Sequence, residues 1–118
     1  MDAKIINFGI DFEVIGDLEK NRFDVLDICV RALKRQFSRV RDIAEPLFIT
    51  DIYSALKEVD GVVDVTRVKI KRKSGGAYSD IRFNINENTS PDGRYINIPE
   101  NAIFEIKFPD NDIKGTIK

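Results

Sequence analysis

Phe48-Ile49-Thr50-Asp51-Ile52-Tyr53-Ser54-Ala55-Leu56-Lys57-Glu58-Val59-Asp60-Gly61-Val62-Val63-Asp64-Val65-Thr66-Arg67-Val68-Lys69-Ile70-Lys71-Arg72-Lys73 is the stretch on which the fold turns. Thr50 is a good N-cap, and Ile52, Leu56 and Val59 share one helical face. Gly61 suits the position just past a helix end, where a positive φ costs glycine nothing. From Val62 onward β-branched residues favour a strand. That strand has an irregular parity. Val63 and Val65 fall on one face and Val68 and Ile70 on the other, so a β-bulge near Thr66–Arg67, or a bend there, is predicted. The unit is scaffold and carries no chemistry.

Upstream, Ile6, Phe8, Ile10, Phe12 and Val14 alternate with Asn7, Gly9, Asp11 and Glu13. This predicts a strand over Lys4–Ile15 with one buried and one wet face. A strand this regular at position 4 has nothing before it, so residues 1–118 are expected to form a single domain cut from a longer chain. Residues 16–20 read as a turn, and Asn21 caps a helix of about four turns. Its predicted apolar stripe is Leu26, Cys29 or Val30, Leu33 and Phe37, supported by Phe23.

Downstream, Ser74-Gly75-Gly76 predicts a hairpin loop, and Ile81, Phe83 and Ile85 a returning strand. Residues 88–94, with Pro91-Asp92-Gly93, read as a turn. Tyr95, Ile96 and Ile98, then Phe104, Ile106 and Phe108, supply further strand. The polar tail from Asp110 has only Ile113 and Ile117 as anchors, for a frayed end or for docking on a neighbouring subunit. The order β-α-α-β-β-β points to an α+β two-layer sandwich, with two helices on one face of a mostly antiparallel sheet. The alternatives are a split β-α-β arrangement and a small sheet with helices on one face.

The 118 residues are long enough to bury roughly 65% of the unfolded surface. With 42% hydrophobic and 33% charged residues the chain is globular, and its net charge of -1 speaks against a dedicated nucleic-acid binder. Histidine is absent, which removes the usual general base and the commonest metal ligand. Cys29, the only cysteine, falls on an apolar stripe and reads as a core thiol. The pairs Asp60/Asp64 and Asp110/Asp112 lack the convergent spacing of a cation loop. Ser74-Gly75-Gly76 has no Gly-Lys-Ser/Thr after it and is no phosphate loop. No cofactor, metal, small-molecule substrate or catalytic residue is expected, and no apolar run approaches the ~20 residues of a membrane span.

Two basic clusters stand out: Arg31, Lys34, Arg35, Arg39 and Arg41, and Lys69, Lys71, Arg72 and Lys73. They are either a phosphate-binding surface with Tyr78 or Phe83 as stacking groups, or a solvated helix face and a lysine-guarded strand edge.

The segments Phe8-Gly9-Ile10-Asp11-Phe12-Glu13-Val14, Val25-Leu26, Phe48-Ile49 with Ile52, and Val59-Asp60-Gly61-Val62-Val63-Asp64-Val65 resemble, in this order, the baseplate wedge proteins of contractile-tailed phages, related to the baseplate J-like family. The ending Ile103-Phe104-Glu105-Ile106-Lys107-Phe108-Pro109 with Asp112-Ile113-Lys114-Gly115 is similar to the C-terminus of the myovirus form. The resemblance covers most of the chain, although the N-terminal helical portions of full-length members are missing. It implies a C-terminal fragment of a longer structural protein, a non-enzymatic assembly domain of the virion's tail baseplate, made in the host cytoplasm, whose partners are further copies of itself and other wedge proteins. Tyr53, Tyr95, Phe104, Ile106, Phe108 and Ile113 are the candidate interface residues. A small nucleic-acid-binding α+β module using the two basic clusters is the competing expectation.

Overall fold

The alternation upstream becomes β1 (Lys4–Gly16), the strand through which the rest of the main sheet is joined. The computed structural model describes residues 4–39 and 41–118. After β1 come α1 (Arg22–Gln36), β2 (Leu47–Phe48), α2 (Ile49–Lys57), β3 (Val62–Arg72) and α3 (Ile85–Asn88). The chain ends with β4 (Tyr95–Ile96), β5 (Ala102–Glu105), α4 (Pro109–Asp112) and β6 (Ile113–Ile117). The fold is α+β. Ile6, Phe8, Ile10, Phe12 and Val14 are all buried, in one core with Val25, Cys29 and Leu33 of α1 and with Ile52 and Leu56 of α2. Both long helices therefore cover the same face of β1.

β3 runs antiparallel along one side of β1, from Phe8↔Arg72 to Gly16↔Val62. Along the other side lie two parallel strands, β5 beside Lys4–Asn7 and β6 beside Ile10–Val14. A second, two-stranded sheet pairs β2 antiparallel with β4.

The register of β3 slips twice. Glu13 pairs with Arg67 but Val14 with Val65, which leaves Thr66 as the extra residue of the predicted bulge. The Thr66 hydroxyl donates to Glu13 Oε2 at 2.7 Å. Ile15 pairs with Asp64 but Gly16 with Val62, so Val63 is a second extra residue. Together the two bulges let Val62, Val65, Val68 and Ile70 all face even-numbered residues of β1.

Asn21 caps α1 as expected, its Oδ1 accepting from the Phe23 and Asp24 amides at 2.9 and 3.2 Å. The buried line of the helix is Val25, Cys29 and Leu33, with Leu26, Val30 and Phe37 only partly buried beside it. Gly61, at φ +99°, fixes this rotation: a Cβ there would lie 2.7 Å from Val25 Cγ2. Two residues are about 200° on a helix, so Phe23 points away from Val25 and into solvent. It does not support the stripe.

Helix α2 starts two residues earlier than the Thr50 cap predicts. Phe48 stands at its N-cap with no side-chain bond, and the Arg94 carbonyl accepts from Ile49 N–H at 2.8 Å and Thr50 N–H at 3.4 Å. A backbone group from the 88–94 turn does the work expected of a threonine. Thr50 lies inside the helix.

Residues 81–85 keep their alternating burial but do not form the expected returning strand, and residues 73–77 are therefore a loop rather than a hairpin. Beyond Arg72 the chain turns around the end of β1. Lys73 N–H donates to Asn7 O at 3.0 Å and Ser79 N–H to Asn7 Oδ1 at 2.8 Å. The tail is also corrected. It neither frays nor leaves the domain, but forms β6 in the main sheet. Gly115 makes this pairing fit, because a Cβ there would overlap the Phe12 ring.

Candidate interaction surface

Nothing among the described side chains gathers into a reaction centre. No group of three or more His, Cys, Asp or Glu residues suited to a metal ion occurs among the described residues. Cys29 is fully buried, and burial pushes its thiol up to about 11, so it stays protonated and unreactive at neutral pH. No helix among the described residues is long and apolar enough to cross a membrane.

The six candidate interface residues are dispersed. Phe104 is 1% exposed, its ring 5.8 Å from Phe8 and 5.6 Å from Phe83 in edge-to-face geometry. Ile113 is buried beside Ile10. Both belong to the core and offer the outside no surface. Ile106 is half-buried. The Phe108 ring meets Tyr78 edge-on at 5.5 Å and keeps some exposure. Tyr95 leans on exposed Phe48 at 5.8 Å, and Tyr53 is half-buried against the core.

The most exposed apolar side chains lie in the segments that meet at the other end of the sheet. Leu18 is 93% exposed, Phe23 81% and Val63 66%. Backbone bonds fix the frame that carries them: Asp17 N–H to Gly61 O at 2.8 Å, and Gly16 N–H to Lys118 O at 2.9 Å. Lys20 and Asp60 add an exposed ion pair at 2.9 Å. The second bulge turns Val63 outward, and the rotation of α1 does the same for Phe23. Periodicity on its own conceals both residues, since each completes an apolar run on paper. The isolated Leu18, set in a charged turn, was the one visible signal.

The basic clusters are largely consumed within the chain. Arg31 pairs with Asp27 at 2.8 Å, Lys34 with Asp110 at 2.5 Å, Lys71 with Asp11, and Lys73 lies 3.9 Å from Asp112. Arg72 donates to the carbonyls of Asn7, Lys73 and Ile81. Among the described residues, Arg35 and Lys69 have no carboxylate within 4.0 Å. Tyr78 and Phe83, the prospective stacking groups, have their rings against Phe108 and Phe104.

Two local arrangements remain. On the second face of β1, Asn7 and Gly9 are buried rather than wet. Asp112, 3% exposed, accepts from the Tyr78 hydroxyl at 2.8 Å, and Asn7 Nδ2 donates to Glu105 Oε1 at 3.1 Å. Elsewhere, a groove of about 420 Å³ runs between Phe37, Ser38, Arg39 and Arg41 and the outer edge of β5, Ile103 to Lys107. Glu45 holds its wall together, 2.6 Å from Arg39 and 2.9 Å from Arg41. The Arg39 hydrogen bond, with the Asp42 amide and the Arg41 charge, draws the Glu45 carboxyl down to about 2. Burial lowers the Arg41 pKa. Comparison with models of known families and with curated proteins finds no match to this chain.

Proposed function

We propose that this chain is a non-enzymatic assembly module, and that it serves as the C-terminal domain of a baseplate wedge subunit in a contractile-tailed phage. In this role it joins further copies of itself and other wedge proteins in the virion. The observation that carries the assembly reading is the rigidly framed set Leu18, Phe23 and Val63, left in water at one end of the sheet. Three apolar side chains at this exposure gain about 1.5–3 kcal/mol each when fully covered. The wedge reading rests on the ordered segments from Phe8 to Val65 and on the ending Ile103–Gly115.

Sedimentation velocity over a concentration series tests the assembly role. The expected result is concentration-dependent association of the wild-type chain, abolished by Leu18→Ser with Phe23→Ser while the melting temperature holds. A chain that stays monomeric throughout refutes self-association. Copurification with wedge subunits of a contractile tail supports the finer reading. Salt-sensitive binding to oligonucleotides would favour the nucleic-acid alternative instead.

A further inference from the structure

Among the described residues, the outer edge of β5 combines two unmet hydrogen-bonding needs with positively charged walls. Lys4 N–H donates to Asn101 O at 2.8 Å, so the backbone at 101 faces β1. Ala102 O instead accepts from Ala44 N–H at 2.8 Å, so position 102 faces away. Strand alternation then turns the amide and carbonyl of Phe104 outward as well. Neither group has a partner among the described residues, although Phe104 is almost wholly buried at the groove floor. Buried backbone groups in this state are rare.

Across the groove stands Arg41, whose side chain is only 9% exposed. Its Nη2 donates to Pro46 O at 3.1 Å, and its guanidinium lies 5.4 Å from the Phe37 ring centre. Its Nε is buried without a partner among the described residues. Arg39 and Arg41 share the carboxylate of Glu45, with Asp42 and Asp51 acting on them from farther off, and Lys107 adds a further positive charge to the groove wall. Glu105, also on the groove, has its carboxylate turned to Asn7.

We propose that this groove receives an extended, acidic segment of a partner protein, added as a strand along β5. Its backbone bonds Phe104, and an Asp or Glu side chain reaches Arg41. Main-chain bonds to an open edge supply affinity and the alternate side chain supplies selectivity, as in other strand-addition interfaces. The proposal does not depend on the apolar end around Gly61, and either can fail without the other.

The probe is a fluorescein-labelled peptide, Thr-Val-Glu-Val-Asp-Val-Thr with blocked ends, set against its Gln/Asn counterpart. The full chain is titrated by fluorescence polarisation while exchange of the Phe104 amide is followed by NMR. The acidic peptide is expected to bind about tenfold more tightly at low salt, with the gap closing as salt rises. It is also expected to protect the Phe104 amide. Arg41→Lys, which keeps the charge but loses Nε, should weaken binding several-fold, and a melting curve confirms that this variant folds. Equal binding of the two peptides, no binding at about 1 mM, or an unprotected Phe104 amide overturns the proposal. Inorganic phosphate that binds without Phe104 protection, where the peptides do not, would reassign the groove to a small anion.

Discussion

The two ends of β1 are finished in opposite ways. Near its N-terminal end, the face away from the helices is closed by polar groups that satisfy one another: Asn7 with Glu105 and Ser79, and Asp112 with Tyr78. Near its C-terminal end the backbone is tightly tied, yet Leu18, Phe23 and Val63 stand in water. A satisfied polar network needs nothing further from outside the chain, whereas exposed apolar groups on a fixed frame lose free energy until they are covered. On this face the N-terminal end is closed within the chain, while the C-terminal end leaves apolar groups for a partner to cover.

The most damaging test of this contrast is Gly61→Val at the outward-looking end. A side chain there must adopt φ +99° and displace Val25, so a loss of about 3 kcal/mol or more is expected. It is read from the denaturant midpoint, and an unchanged midpoint would remove Gly61 from its place as organiser of that end. At the inward-looking end, Asp112→Ala strips the Tyr78 hydroxyl of its acceptor. It should cost about 2 kcal/mol, with Tyr78→Phe costing about half as much. If both were neutral, the polar closure would be ornamental.

Glu45 gives a smaller effect with a defined pH window. Its folded pKa of about 2 lies below its ordinary 4.5, so its stabilisation is complete above pH 4.5 and disappears as pH falls toward 2. The contribution is about 1 kcal/mol after allowing for its solvent contact. Glu45→Gln should flatten that part of the acid-unfolding curve without shifting the rest. The smallest expected change in stability, within about 0.5 kcal/mol, belongs to Leu18→Ser with Phe23→Ser. This pair should alter association alone, and an equal loss in monomer stability would erase the contrast between the two ends.

Local chemistry made several features legible. The Asn21 cap, the positive φ of Gly61 and the Thr66 bulge each follow from a few neighbouring residues. What escaped was set by distant groups. The α2 cap is the Arg94 carbonyl, more than forty residues away in sequence, and Thr50 looked sufficient until that carbonyl was in view. Residues 81–85 show why alternation misleads: it reports that Ile81, Phe83 and Ile85 are half-buried and says nothing about a ladder partner. The candidate interface fails for a similar reason, because the core already uses Phe104 and Ile113. Phe23 turns outward through a helix rotation set at Gly61, which no residue beside Phe23 announces.

The parallel pairing of β6 with β1 also orders events in time. Ile10 lies against Ile113 and Val14 against Ile117, so strands at opposite extremes of the sequence close the sheet. Contacts of such long sequence separation slow folding. During synthesis, Phe12 leaves the ribosome well before Gly115, the residue whose missing side chain makes room for it. Until then the nascent chain carries an unfinished sheet edge beside its largest apolar strand, the period in which a chaperone would have most to shield.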